Sequence, residues 1–384
     1  MDSSCDVLVV GAGFAGAIMA ERIASQLDLR VLVVDRRAHI AGNAYDERNA
    51  HGILIHRYGP HLFHANDERI VNYLSGFTSW WPYEHRVLAQ VDDQLLPVPV
   101  NLDTINARYG ANLEEGEVEQ WLAEQAVPID FIKTAEDAVL ARMGPAVYAD
   151  FFRGYTRKQW GIEPTDLDAS VTARIPVRTN RDDRYFTDHF QALPADGYTA
   201  MFARILDHPN IQVRLDTEYT EAVAACQPAH TVFTGCIDEY FGHAFGKLPY
   251  RSLRFDFQDL PTPDGGTIYP AGQINFPGED VAFTRITEYR HFAAAAERQT
   301  STVSYEYPTA DGDPFYPIPR PENRERYKQY ETLAKRRSDV TFVGRLARYQ
   351  YLNMDQVVGQ TLATFDRRAE LIAARVPRSR SRAA

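Results

Sequence analysis

The run Gly11-x-Gly13-x-x-Gly16 carries the most specific chemistry in this sequence. Gly11 permits a tight turn, Gly13 lets the backbone approach a pyrophosphate, and Gly16 lets a helix pack close to a strand. Asp35 closes the next apolar run, near the usual distance of about 20 residues at which a carboxylate accepts hydrogen bonds from ribose hydroxyls. A glycine turn of purely structural purpose would not need that acid, so a bound dinucleotide is expected. Two features favour FAD over NAD. Asp35 runs on through Arg36 into a second glycine turn at Gly42-Asn43, and Phe342-Val-Gly344-Arg345 repeats a strand–glycine junction near the end of the chain. Such a second junction offers amides to the far parts of a long flavin dinucleotide. No second Gly-x-Gly-x-x-Gly is present for a pyridine nucleotide.

A second group of residues could bind an anion and a planar base. Phe151-Phe-Arg-Gly-Tyr-Thr-Arg-Lys-Gln-Trp160 concentrates rings and hydrogen-bonding groups at a predicted helix end. Tyr155 or Phe152 could stack a base while Gln159 reads its amide edge. The same rings serve equally as the buried face of a helix, and position in the sequence leaves both readings open. Arg174 and Arg285 are suited to gripping a diphosphate through bidentate forks, although solvated surface arginines are the commoner case. Tyr185, Tyr316 and Tyr351 carry the same ambiguity. His61 and His64, three apart, lack a third ligand at suitable spacing, so no metal is expected.

The elements that must position these residues begin with a βαβ opening: a strand over 6–10, a helix to about Leu27 and a strand over 31–34. Residues 84–99 read as two extended segments around Asp92-Asp93. From 100 to 163 the pattern is helical, broken at Gly144-Pro145. Residues 164–199 show little periodicity and read as an extended loop followed by short strands. Alternation in 252–257, 281–285 and 302–307 predicts an antiparallel sheet. The first unit resumes with 340–344 and a helix after Asp355. The expected fold is therefore α/β. It has a discontinuous Rossmann-like FAD-binding domain (1–83, 200–240, 335–376), a helical domain (100–163) and an antiparallel β-sheet substrate domain (84–99, 164–199, 241–334). The basic tail 377–384 is expected to be disordered.

Bulk properties exclude other classes. The 384 residues are 45% hydrophobic and 24% charged, enough for a large core. A formal net charge of −11 opposes attraction to a phosphate backbone, so no nucleic-acid partner is expected. Cys5, Cys226 and Cys236 form no C-x-x-C pair and read as packing thiols of a reducing compartment. The glycine-interrupted apolar start lacks a basic flank, and no run approaches the roughly 18 apolar residues of a membrane span. A cytoplasmic protein without membrane insertion is expected.

At the level of motifs, the chain resembles the prokaryotic UDP-galactopyranose mutases over almost its whole length. The resemblance rests on the Gly11–Gly16 turn, Ile40-Ala-Gly-Asn-Ala-Tyr45, Tyr58-Gly-Pro-His-Leu-Phe-His64, Phe151 to Gly161, Thr234-Gly-Cys-Ile-Asp238, Leu248 to Phe255 and Gly344 to Gln356. It implies that Arg174 and Arg285 clamp the substrate diphosphate with Tyr185, Tyr316 and Tyr351, and that Tyr155 stacks the uracil. Phe151, Phe152, Thr156 and Gln159 would complete the uridine pocket, with Trp160 bordering the sugar. Arg251, His64, His85 and Asn353 would neighbour the sugar or phosphate, and 163–178 would be a closing loop. His61 would sit against the flavin ring in a catalytic role. FAD contacts would come from Gly11, Gly13, Phe14, Ala15, Gly16, Asp35, Arg36, Gly42, Asn43, Gly235, Gly344, Arg345, Met354 and Asp355. Three positions depart from the family pattern: Ala41 replaces the first glycine of Gly-Gly-Asn, Cys236 stands where proline is common, and Asn353 where aspartate is common.

The resemblance further implies an isomerase that interconverts UDP-galactopyranose and UDP-galactofuranose. Non-covalent, reduced FAD would offer N5 as the nucleophile at the anomeric carbon, with no net redox change. An external reductant such as NAD(P)H and a homo-oligomeric state are expected with it. A flavin amine oxidase or desaturase shares the opening motif but needs an apolar or amine-binding cage. A non-enzymatic binder of UDP-sugars is the other alternative.

Overall fold

Val7–Val10 and Val31–Val34 are four-residue runs without an exposed member, the composition of strands covered on both faces. In the computed structural model, which describes residues 5–292 and 299–376, they lie at the centre of a five-stranded parallel sheet. Its order is Ile211–Arg214, Val31–Val34, Val7–Val10, His230–Phe233, Val340–Phe342. Helix Phe14–Leu27 makes the first crossover and buries Ile18, Met19 and Ile23 completely, and the 22-residue helix Met354–Arg375 packs beside it. These elements share one core with Phe63, Tyr198 and Phe202.

A seven-stranded sheet forms the second layer, in the order Tyr316–Pro317, Tyr250–Pro261, Thr300–Thr309, Arg285–Glu288, Gln273–Asn275, Val87–Val91, Gln94–Val98. It was expected to be antiparallel, but Gln273–Asn275 runs parallel to Val87–Val91. Parallel neighbours need a long crossover, and the whole helical insertion and two strands of the parallel sheet lie between these two strands in sequence. The alternating segment 281–285 enters the sheet only at its last residue, Arg285.

Residues 164–199, placed by sequence in that sheet, divide differently. Ser170–Ala173 is a short helix against Ala135–Val147, while Phe190–Pro194 pairs with Phe63–Ala65 and Trp80–Pro82 in a separate three-stranded sheet. Trp80 stacks on Phe63 at 5.0 Å, and Leu193 joins the main core, so apolar partners on the first layer capture this strand. Helix Pro321–Lys335, also assigned to the sheet unit, instead packs fully buried Tyr330 against Phe233 and Phe342 beside the parallel sheet.

The helical insertion comprises Leu102–Tyr109, Val118–Gln125, Ala135–Val147 and Gly154–Trp160. It shares a core with Ala89, Val91 and Leu96 of the 87–98 hairpin, so it grips the edge of the seven-stranded sheet. Gly144 takes φ 79° and kinks the third helix. A Cβ there would lie 2.2 Å from the Gln125 carbonyl oxygen, which excludes any other residue without movement. Beyond the kink, Tyr148–Arg153 forms a π-helical turn whose extra residue re-aims Phe151 and Phe152. Cys5 and Cys226, read from the sequence as separate packing thiols, sit side by side with sulfurs 2.8 Å apart.

Candidate active site

A continuous cavity of about 540 Å³ runs from the glycine turn, between the two sheets, to the helical insertion. At its first end Gly11 takes φ 101°, where a Cβ would meet Thr234 Oγ1 at 2.1 Å, and Gly16 lies so close to Gly11 that a Cβ would fall 1.8 Å from its carbonyl oxygen. Gly13 is different. A Cβ there would meet nothing nearer than Gly42 Cα at 3.6 Å, so its bareness serves the cavity rather than the packing. No side chain caps the helix that begins at Phe14, and Gly13, Phe14 and Ala15 line the cavity, so the first-turn amides and the positive end of the helix dipole are available to an anion.

Asp35 ends its strand at the cavity wall and accepts from the Ala12 N–H at 2.8 Å and the Arg37 N–H at 2.9 Å. Arg37 reaches Asn43 and Asp313, and its guanidinium lies 4.4 Å over the Tyr58 ring. Arg37 and Tyr58 were not among the residues singled out by sequence, although both lie in the motifs that were. Ala41, where glycine is usual, takes φ 72°, the left-handed backbone that favours glycine.

At the other end, Arg285 projects from Arg285–Glu288 and meets buried Glu306 with Nε and Nη2, each 2.7 Å from Oε2. Burial alone would depress this guanidinium, but Glu306 outweighs it and holds Arg285 well above the ordinary arginine value. Arg174 follows the short Ser170–Ala173 helix and lies 4.4 Å over the Tyr351 ring, which stacks on Tyr316 at 5.2 Å. Arg345 lies over both of these tyrosines and donates to the Phe315 carbonyl. Burial alone would raise the Tyr351 phenol, yet Arg174 and Arg345 bring it below the ordinary value. Three guanidiniums and a tyrosine stack thus make one anion-attracting wall.

Phe151 and Phe152 are buried with the helical core and also line the cavity. Tyr155, Thr156, Gln159, Trp160, Tyr185, Tyr316 and Asn353 line it as well. Burial raises the Tyr155 phenol and keeps it neutral. His61 hydrogen-bonds the Gly59 carbonyl through Nδ1 at 2.8 Å, and burial pushes it down to about 3. A carbonyl only accepts, so Nδ1 carries the proton and Nε2 is the acceptor. His64 pairs with Asp188 at 3.0 Å and stacks on Phe186, while burial holds His85 at about 3. Arg36, Gly42, Asn43, Gly235, Gly344 and Met354 complete the walls.

Three of the residues singled out by sequence do not line the cavity. Gly16 acts only through helix–strand packing. Arg251 turns away and donates Nε to the Gln159 carbonyl at 2.9 Å, holding the end of the helix that carries Tyr155. Asp355 lies in the first turn of Met354–Arg375, with one carboxylate oxygen buried and unpartnered. Glu306 was missed altogether. The available signal was an inverted one: Thr302, Ser304 and Glu306 face inward on a strand whose tyrosines, 305 and 307, are less buried.

Comparison with known proteins places these features. Residues 150–351 match the UDP-galactopyranose mutase family, and residues 9–77 match the NAD(P)-binding Rossmann-like domain. A "Probable UDP-galactopyranose mutase" of Klebsiella pneumoniae is 37% identical over 366 residues, 94% of each chain. A dTDP-fucopyranose mutase of Escherichia coli is 36% identical, over 93% of this chain and 96% of that one. The crystal structure of a reduced UDP-galactopyranose mutase superimposes with a TM-score of 0.74 at 15% identity, covering 98% and 99% of the two chains, and so shares the fold.

Proposed function

Because the chain belongs to the UDP-galactopyranose mutase family, an isomerase family, we propose that it interconverts UDP-galactopyranose and UDP-galactofuranose with FAD and no net redox change. The observation that carries this reading is the cavity itself, which joins a dinucleotide turn to an arginine–tyrosine wall. The first end fits FAD: Gly13 leaves room that a side chain would fill, the helix amides at Phe14 and Ala15 are uncapped, and Asp35 on the cavity wall would meet the ribose. Gly42, Asn43, Gly235, Gly344, Arg345 and Met354 would hold the rest of it. Bound and reduced, FAD supplies a nucleophile for the anomeric carbon.

The remaining work falls to the chain's own groups. Tyr155 stacks the uracil against the Phe151–Phe152 wall, and Gln159 reads its edge. Arg174 and Arg285, with Tyr185, Tyr316 and Tyr351, grip the diphosphate and stabilise the charge that develops on UDP as it leaves. His61 stays neutral and offers Nε2 as an acceptor. Segment 163–178, which carries Arg174, closes over the nucleotide. An external reductant, NAD(P)H or another, a homo-oligomeric state and a cytoplasmic location belong to the same reading. Among the described residues no helix is long and apolar enough to cross a membrane.

The test is anaerobic incubation with UDP-galactofuranose, with and without dithionite, following UDP-galactopyranose by chromatography. Product only with reductant is expected; equal turnover in both states, or none with FAD and UDP bound, overturns the mechanism or the activity respectively. The near-equal identity to a dTDP-fucopyranose mutase favours a second reading on the same chemistry. The two substrates differ in a base methyl, a ribose 2′-hydroxyl and a sugar 6-hydroxyl, so dTDP-fucopyranose belongs in the same assay, and faster conversion of it would reassign the substrate.

A further inference from the structure

Cys5 and Cys226 are separated by 221 positions in the chain, yet the Cys5 thiol donates to the Cys226 sulfur at 2.8 Å. Both are buried, and they share a small apolar cluster with Leu8, Leu32, Val34 and Ala222. Cys5 immediately precedes the central strand Val7–Val10, and Cys226 ends helix Tyr219–Cys226, whose first residue stands on the wall of the active-site cavity. The pair is therefore a bridge between the first strand of the parallel sheet and a crossover helix. Beside it lies a separate cavity of about 170 Å³, lined by Cys5, Arg30, Pro209, Asn210 and Gln212. That is room for several atoms beyond the roughly 30 Å³ of one water. Cys236, the third thiol, is remote from the pair in the cavity wall of the active site.

We propose that Cys5 and Cys226 form a dithiol site that takes up a low-molecular-weight disulfide and converts it to two thiols, leaving a reversible Cys5–Cys226 disulfide. The hydrogen bond from Cys5 lowers the Cys226 thiol below its ordinary value and raises that of Cys5, which divides the roles of the two sulfurs. The Cys226 thiolate attacks one sulfur of the reagent, forming a mixed disulfide and releasing the first thiolate. Cys5 then loses its proton, its sulfur attacks that of Cys226, and the second thiolate leaves. Two protein thiols are oxidised and one external disulfide is reduced, so electrons and atoms balance. The closed bond ties the strand to the helix and restricts the unfolded chain over a long loop, which raises resistance to unfolding.

The experiment uses the full-length protein, reduced, desalted and incubated in native buffer with oxidised glutathione. Free thiols counted after denaturation fall from three to one, the intact mass drops by about 2 Da for the two hydrogens lost, and proteolysis yields a Cys5–Cys226 crosslinked peptide. The thermal midpoint rises and returns when dithiothreitol is added. Cys5→Ser traps glutathione on Cys226, and Cys236→Ser still loses two thiols. Three thiols persisting in native buffer, or glutathione remaining on the wild-type protein without a crosslink, overturns the proposal.

Discussion

Arg285 and Glu306 are bound to one another on the inner face of the seven-stranded sheet, with two guanidinium nitrogens converging on a single carboxylate oxygen at 2.7 Å each. Glu306 is 1% exposed, so removing the arginine strands a buried charge. Arg285→Ala should therefore cost about 3–5 kcal/mol of stability as well as turnover. Arg285→Ala combined with Glu306→Gln should recover most of the stability and none of the turnover. Denaturant midpoints and initial rates on the two variants check this, and full activity in the double variant would remove Arg285 from the clamp.

Arg174 offers the cleaner test of anion binding. It is exposed and rests on the Tyr351 ring, and among the described residues no carboxylate is bonded to it. Arg174→Ala should leave stability within about 0.5 kcal/mol while lowering turnover by about 10²–10³-fold, the scale for losing one charge-stabilising group. Thermal midpoint and initial rate, measured on one preparation, separate the two effects.

Gly13 and Gly16 make opposite predictions for the same substitution. Gly13→Ala places a methyl in ordinary contact with Gly42 but inside the cavity, so the protein should fold normally and bind flavin at least about tenfold more weakly. Gly16→Ala drives a methyl into the Gly11 carbonyl and should compromise folding itself. Circular dichroism and bound-flavin absorbance read the two outcomes, and normal flavin content in Gly13→Ala would move the pyrophosphate elsewhere.

Acid should destabilise the protein through its buried histidines. Burial holds His56, His61 and His85 at about 3 and His230 at about 4, below the ordinary 6.5, so the unfolded chain takes up protons that the folded one refuses. Their stabilising contribution is present above 6.5 and is lost as pH falls toward 3, by up to about 1.4 kcal/mol per histidine per pH unit. His56 accepts the His61 N–H at 3.0 Å, a bond that a glutamine oxygen can also accept. In His56→Gln the fall of the urea midpoint between pH 6.5 and 4.5 should be shallower, and an unchanged slope would show that His56 does not titrate on unfolding.

What was legible in the sequence was local. The two Val-Leu-Val-Val runs, the glycine spacing and Asp35 report on a strand–turn–helix whose sterics are complete within about 30 residues. Arg251 shows the limit: it sits in one of the motifs that carry the family resemblance, yet its side chain is spent on the Gln159 carbonyl. Nothing in residue type or spacing reports which way a guanidinium turns.

The sequence by itself therefore determined the βαβ opening and the glycine turn, because backbone sterics and period are short-range properties, whereas Arg174 and Arg285 were singled out only through resemblance to a family. Only the tertiary structure decided that Glu306 faces Arg285, that Arg174 and Arg345 meet at Tyr351, that Phe190–Pro194 leaves the large sheet for Phe63–Ala65, and that Cys5 touches Cys226. Each of these joins elements far apart in the chain. Their meeting is set by which apolar faces are buried together, and the inward polar residues of Thr300–Thr309 run against the alternation that would otherwise have foretold it.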